Sequence, residues 1–262
     1  KVYISTLTCC PVFGEHFYVE KHETIINGEG YHRCIYNCGI LDGLSIAKGY
    51  IEEKDGGGVY NSGGKMFKCK VYQNNSEDGS GGGVFNVLNG KIELCDIFDN
   101  YAQRNGGGIY NYNGSILKCR VFYNKIINGD NSHGGGVYNM FGLVKDCTVY
   151  INKVGKYNAN GGGIENHGRV INCVVFNNIA SCGGGIDNHG TVVNSTVYNN
   201  AASNYCGGIN NIGGDVINTI SWYNKRGDYL GSPYNISNSC YSLADNKNHN
   251  FSANPIFVNT SD

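Results

Sequence analysis

A glycine-led hexapeptide recurs along this chain and limits what it can fold into. GGGVYN from Gly56, GGGVFN from Gly81, GGGIYN from Gly106, GGGVYN from Gly134, GGGIEN from Gly161 and GGGIDN from Gly183 follow one another at steps of 25, 25, 28, 27 and 22 residues, and a degenerate CGGINN begins at Cys206. Behind each comes a second unit of the form G-x-V-x-x-C-x-V-aromatic-x-N, as in GKMFKCKVYQN, GSILKCRVFYN, GLVKDCTVYIN and GRVINCVVFNN. A repeat of this length is a single supersecondary unit that cannot bury its apolar face alone, so several must stack into a solenoid.

Apolar positions alternate over stretches of three to five residues and are broken by Gly and Asn, the pattern of short strands rather than helices. Three strands fit each period: the GGGV/I strand, the G-x-V strand and the C-x-V strand. The expected fold is an all-β, right-handed parallel β-helix with three sheets and coils of 22–28 residues. Stacking turns each aligned column into a ladder with rungs about 4.8 Å apart. One inward ladder runs Cys69, Cys95, Cys119, Cys147, Cys173, Ser195, Thr219, and another Val71, Ile97, Val121, Val149, Val175, Val197, Ser221. Two asparagine columns accompany them, Asn61, Asn86, Asn111, Asn139, Asn166, Asn188, Asn211 and Asn74, Asn100, Asn124, Asn152, Asn178, Asn200, Asn224. Asparagine tolerates left-handed turns and can hydrogen-bond from coil to coil, so both columns are expected at corners.

Cysteine neighbours on a ladder would hold their Cβ atoms about 4.8 Å apart, beyond the roughly 3.5–4.5 Å of a disulfide, so that column is expected as buried reduced thiols. Cys182 and Cys206 stand off the ladder, flank the glycine motif in successive coils and are the candidates for a disulfide. Forty glycines against three prolines, without a Gly-X-Y period, exclude collagen. With 16 % charged residues and a formal net charge of -1, no nucleic-acid partner is expected. No apolar run reaches the roughly 18 residues of a membrane span. The opening lacks the apolar core of a signal peptide, so the chain reads as processed or truncated. Residues 1–23, with Cys9-Cys10 and FGEHFYVE, read as an N-terminal cap or extension, 24–224 as the β-helix, and 225–262 as a C-terminal cap or link.

The GGGI and V-x-x-N units resemble the GGAI and FxxN repeats of polymorphic outer-membrane proteins, with Val or Ile in most coils where that family has Phe. TIINGEGYHRCIYN from Thr24, GILDGLSIAKGYIEEKDGGGVYN from Gly39 and SANPIFVN from Ser252 resemble recurrent segments of bacterial secreted β-helix proteins of the choice-of-anchor Q type. The resemblance runs from Thr24 onward and implies a secreted or cell-surface protein with no assigned reaction.

Two outward columns remain as candidates for function. Tyr72, Phe98, Phe122, Tyr150, Phe176, Tyr198 and Trp222 form an aromatic stripe about 30 Å long. It reads in three ways: stacking that stabilises a sheet, a subunit interface, or a platform for sugars. On the GGG strand, Glu165-Asn166-His167 and Asp187-Asn188-His189 fall on adjacent rungs with their acids and histidines facing outward. Glu165, His167, Asp187 and His189 are therefore the candidate catalytic set, able to share a proton as acid and base or to bind a divalent cation; no other cofactor is expected. Asn74, Asn113, Asn194, Asn235, Asn250 and Asn259 head N-x-S/T sequons and are candidate glycosylation sites. The expected function is a non-catalytic structural, adhesive or filament-forming β-helix whose partner is itself or an extracellular glycan. The alternative is a carbohydrate-active enzyme, a polysaccharide lyase or glycoside hydrolase, with its groove on the GGG-strand sheet.

Overall fold

A computed structural model of the 262-residue protein describes residues 3–4, 7–9, 24–127, 131–155, 159–244 and 247–255. The chain is a parallel β-helix. One coil shows the plan: Val84–Val87, Lys91–Glu93, Asp96–Phe98 and Tyr101–Ala102 are four successive strands, each pairing in parallel with its equivalents in the coils before and after. The first strands of the coils make sheet I, the second sheet II, the third sheet III and the fourth sheet IV, with 10, 9, 11 and 7 strands among the described residues.

Sheet IV corrects the expected count of three. Its strands, such as Asn75–Glu77, Lys125–Ile126 and Ala201–Ala202, have two or three residues. Six of the seven bury one side chain, which ranges from Ser76 through Ile126 to Ala202. Elements this short with no fixed apolar residue leave no periodic signal.

The interior is a stack of aliphatic rungs. Val84, Ile92 and Ile97 from sheets I, II and III meet in one coil, Ile109, Ile116 and Val121 in the next, and all six are fully buried. The cysteine ladder fills the corner between sheets II and III. Cys69, Cys95, Cys119, Cys147 and Cys173 are buried free thiols, and the Cys119 Sγ donates to Leu117 O at 3.2 Å.

Both asparagine columns point inward and are nearly inaccessible. In the first, Asn61 donates to Asn86 Oδ1 at 2.6 Å, Asn86 to Asn111 at 2.7 Å and Asn111 to Asn139 at 2.8 Å. The second does the same from Asn74 to Asn224, and each amide also donates to a carbonyl of the preceding coil, as Asn124 does to Ile97 O at 2.9 Å. The left-handed corners belong to their neighbours. Gln73, Asp99, Tyr123, Ile151, Asn177, Asn199 and Tyr223, one residue before the second ladder, have φ of 53–58°. The ladder asparagines themselves are not left-handed.

The glycine motif follows from that ladder. Gly106, first of its triplet, has φ 66°. A Cβ on Gly83, third of its triplet, would lie 2.8 Å from Gly108 O and 2.9 Å from the Asn100 amide, closer than packed atoms approach.

At the ends, Tyr3–Ile4 pairs with Ile25–Asn27 and Leu7–Cys9 with Ile35–Asn37. Beyond Asn224, Tyr229–Leu230, Ile236–Ser237 and Cys240–Tyr241 add strands to sheets I, II and III. Cys10, the FGEHFYVE segment and Asn259 lie outside the described residues.

Candidate functional site

Sheet I carries an outward column that changes character along the solenoid. Tyr36, Tyr60, Phe85, Tyr110 and Tyr138 stack on successive rungs with centroids 4.7–5.2 Å apart. Glu165 takes the next rung in register, then Asp187, then Asn210. Sequence parity places Glu165 and Asp187 on an outward face, as expected, but not in water: they are 2 % and 0 % exposed. The cause is a cage of imidazoles. His167 Nε2 stands 3.0 Å and His189 Nε2 3.5 Å from Glu165 Oε1, and His133 Nδ1 is 3.8 Å from Glu165 Oε2. The His167 and His189 rings lie parallel at 4.3 Å, and the His189 Nε2 is 4.0 Å from Asp187 Oδ1. The imidazole side chains remain 28–30 % exposed and form the outer skin of the cluster.

Burial raises the Asp187 carboxyl to about 8, the charge of Glu165 adds to the rise, and the Asn210 amide, donating at 3.2 Å, opposes it. His189 is held below its ordinary value, chiefly by burial and against the pull of Glu165. The sheet thus keeps two carboxyl groups side by side beneath imidazoles that reach solvent. Glu165 Oε2, Asp187 Oδ2 and His133 Nδ1 have no hydrogen-bond partner among the described residues. The four residues singled out from the sequence come together; His133 does not stand out there. The signal available for it was the 28-residue step ending at Gly134, whose extra residues run up to His133.

The aromatic stripe lies on sheet III. Ring centroids from Tyr72 to Tyr198 are 4.9–5.1 Å apart with interplanar angles of 2–9°, and Trp222 continues the register. Every ring is half-buried. Within the column ring faces are turned to ring faces, so what solvent meets is edges. Tyr123 beside it is 55 % exposed and stands 67° from the Phe122 plane, and Tyr223, 59 % exposed, stands 77° from the Trp222 plane.

Sheet IV bears three depressions in a row, next to that stripe. The first, about 180 Å³, is lined by Asn75, Glu77, Tyr101, Ala102, Gln103 and Ile127. The second, about 570 Å³, is bounded by Phe98, Tyr101, Phe122, Tyr123, Lys125 and Lys153 among others. The third, about 470 Å³, continues from Lys153 and Val154 through Ile179 and Ser181 to Ser203 and Asn204. Tyr101 borders both the first and the second and Lys153 both the second and the third, so the three follow one another along the axis as a shallow, interrupted channel.

Cys182 and Cys206 are not bonded to each other. Both are free thiols, and the Cys206 Sγ is buried and donates to Gly227 O at 3.1 Å and Ile209 O at 3.3 Å. Burial raises it to about 12, so it is an inert thiol. Two sequons are closed by the fold: Asn74 is a rung of the second ladder, and Asn250 is 3 % exposed with its amide donating to Ile236 O at 2.9 Å. Asn113 and Asn194 are exposed and Asn235 is half-buried.

No protein-family model matches the chain, and no curated protein matches it. A solved structure, that of QnrB1, a plasmid-mediated fluoroquinolone resistance protein, is similar over 69 % of this chain and 93 % of its own, at 12 % identity and a TM-score of 0.23. A superposition that loose supports no inference about this protein.

Proposed function

We propose that this β-helix is a secreted or cell-surface adhesive protein that holds an extended glycan along the channel of sheet IV, without cleaving it there. The channel itself carries the reading. It runs across the strands Asn75–Glu77 to Ala201–Ala202, six rungs or about 24 Å, and presents the chemistry sugars use. Amides and hydroxyls of Asn75, Gln103, Ser203 and Asn204 line it and supply polar chemistry. Tyr123, 55 % exposed at the wall of the second depression, offers an aromatic ring. Extended rather than compact ligands suit a shallow groove, and the low charge of the chain disfavours a polyanion such as nucleic acid. The resemblance to choice-of-anchor Q proteins, in the segments from Thr24, Gly39 and Ser252, supports the extracellular address.

The alternative of a glycan-cleaving site on sheet I meets an obstacle in Glu165 and Asp187, which have almost no surface for a substrate to touch; proton transfer would have to pass through His167 or His189. Titration calorimetry with soluble linear glycans of increasing length tests the proposal. Affinity should climb with chain length and then level off once the channel is spanned, and Tyr123→Ala should weaken it about tenfold. Equal affinity for short and long chains, or an unaltered Tyr123→Ala variant, refutes it.

A further inference from the structure

Imidazoles from three coils converge on one carboxylate. Glu165 is 2 % exposed, and around it His167 Nε2, His189 Nε2 and His133 Nδ1 stand at 3.0, 3.5 and 3.8 Å from its oxygens. In a four-coordinate zinc site with bonds of about 2.0–2.2 Å, neighbouring ligand atoms are about 3.3–3.5 Å apart. The separations found here straddle that value, and Glu165, His167 and His189 each bring a ligand atom within 4.8 Å of the others.

Hydrogen bonding alone accounts for only part of the cluster. Glu165 Oε2 and His133 Nδ1 are buried and face each other across 3.8 Å, too far for a hydrogen bond. A buried carboxylate oxygen left in this way is costly, and a cation bound by the carboxylate offsets the cost. We propose that Glu165, His167 and His189 act as three protein ligands and bind one divalent transition cation of the zinc class. The donor set fixes the class: imidazole nitrogens with one carboxylate suit zinc and its neighbours, whereas calcium and magnesium take oxygen ligands. Asp187, with Oδ1 4.0 Å from His189 Nε2, adds a carboxylate beside the ion. Because the ligands sit on adjacent rungs of a hydrogen-bonded sheet, the site is built before any ion arrives. It lies on sheet I, separate from the channel on sheet IV.

The test uses the full chain, stripped with a chelator and titrated with zinc and then cobalt chloride. One equivalent should bind, thermal stability should rise with zinc concentration, and calcium should not compete. The His167→Asn/His189→Asn double variant should bind at least a hundredfold more weakly with an unchanged far-ultraviolet circular dichroism spectrum. On the wild-type protein, zinc should shift the imidazole resonances of His167 and His189 and leave those of His32 and His249 in place, a readout that needs no variant to fold. Absence of saturable one-to-one binding, wild-type affinity in the double variant, or shifts confined to the other histidines would overturn the site. Glycan affinity is measured separately, so failure of the metal site leaves the channel untouched, and the reverse holds as well.

Discussion

At the scale of single residues, the two asparagine ladders and the Glu165–Asp187 pair show opposite uses of a polar group in a dry place. Every ladder amide is satisfied. Asn124 donates to Ile97 O, to Phe122 O at 3.1 Å and to Asn152 Oδ1 at 3.0 Å, while its own Oδ1 accepts from Asn100. Asn124→Ala should therefore cost about 3 kcal/mol or more, since it orphans buried partners on both sides. Asn113→Gly, at an exposed left-handed corner with φ 61°, should stay within about 0.5 kcal/mol; urea unfolding of both variants measures the contrast. Asp187 is the opposite case. Its carboxyl is raised to about 8 in the fold against an ordinary value near about 3.9 in the unfolded chain, so the folded state binds the extra proton. Its contribution to stability is complete below about pH 4, is lost as pH rises toward 8, and is level beyond. In chelator, the melting temperature of the wild type relative to Asp187→Asn should fall across that window. A difference that stays constant with pH contradicts the assignment.

At the scale of elements, sheets I, II and III were legible in the sequence because each contributes a fixed inward residue per coil: Val84 and Ile109, Ile92 and Ile116, Ile97 and Val121. Sheet IV was not, since Ser76, Ala102 and Ile126 share no chemistry a pattern could detect. The outward direction of Glu165 and Asp187 was legible from strand parity, but their burial was not. It depends on side chains that converge from neighbouring coils, His133 and His189 beside Glu165 and Asn210 beside Asp187. The aromatic stripe was legible as a column, and only the ring planes reveal that its members stack on one another. That stacking makes the stripe part of sheet III's stability. A double-mutant cycle on Phe98 and Phe122, whose centroids are 5.0 Å apart, should return a coupling of about 0.5–1.5 kcal/mol. Coupling near zero would mean that the rings are neighbours without being partners.

At the scale of the whole molecule, the solenoid divides its labour between inside and outside. Aliphatic rungs, thiols and amide ladders fill the interior and repeat from coil to coil, so they specify stacking and little else. The two proposals rest on what breaks the repeat on the surface: the acid–histidine rungs of sheet I and the channel of sheet IV. The channel claim is the central one, and hydrogen–deuterium exchange of the free protein against the protein saturated with a linear glycan tests it most directly. Protection should appear in peptides covering 75–77, 101–103, 125–127, 153–155, 179–181 and 203–204, with sheets I and II unchanged. Protection centred instead on residues 165–167 and 187–189, or none at a saturating concentration, would contradict the account.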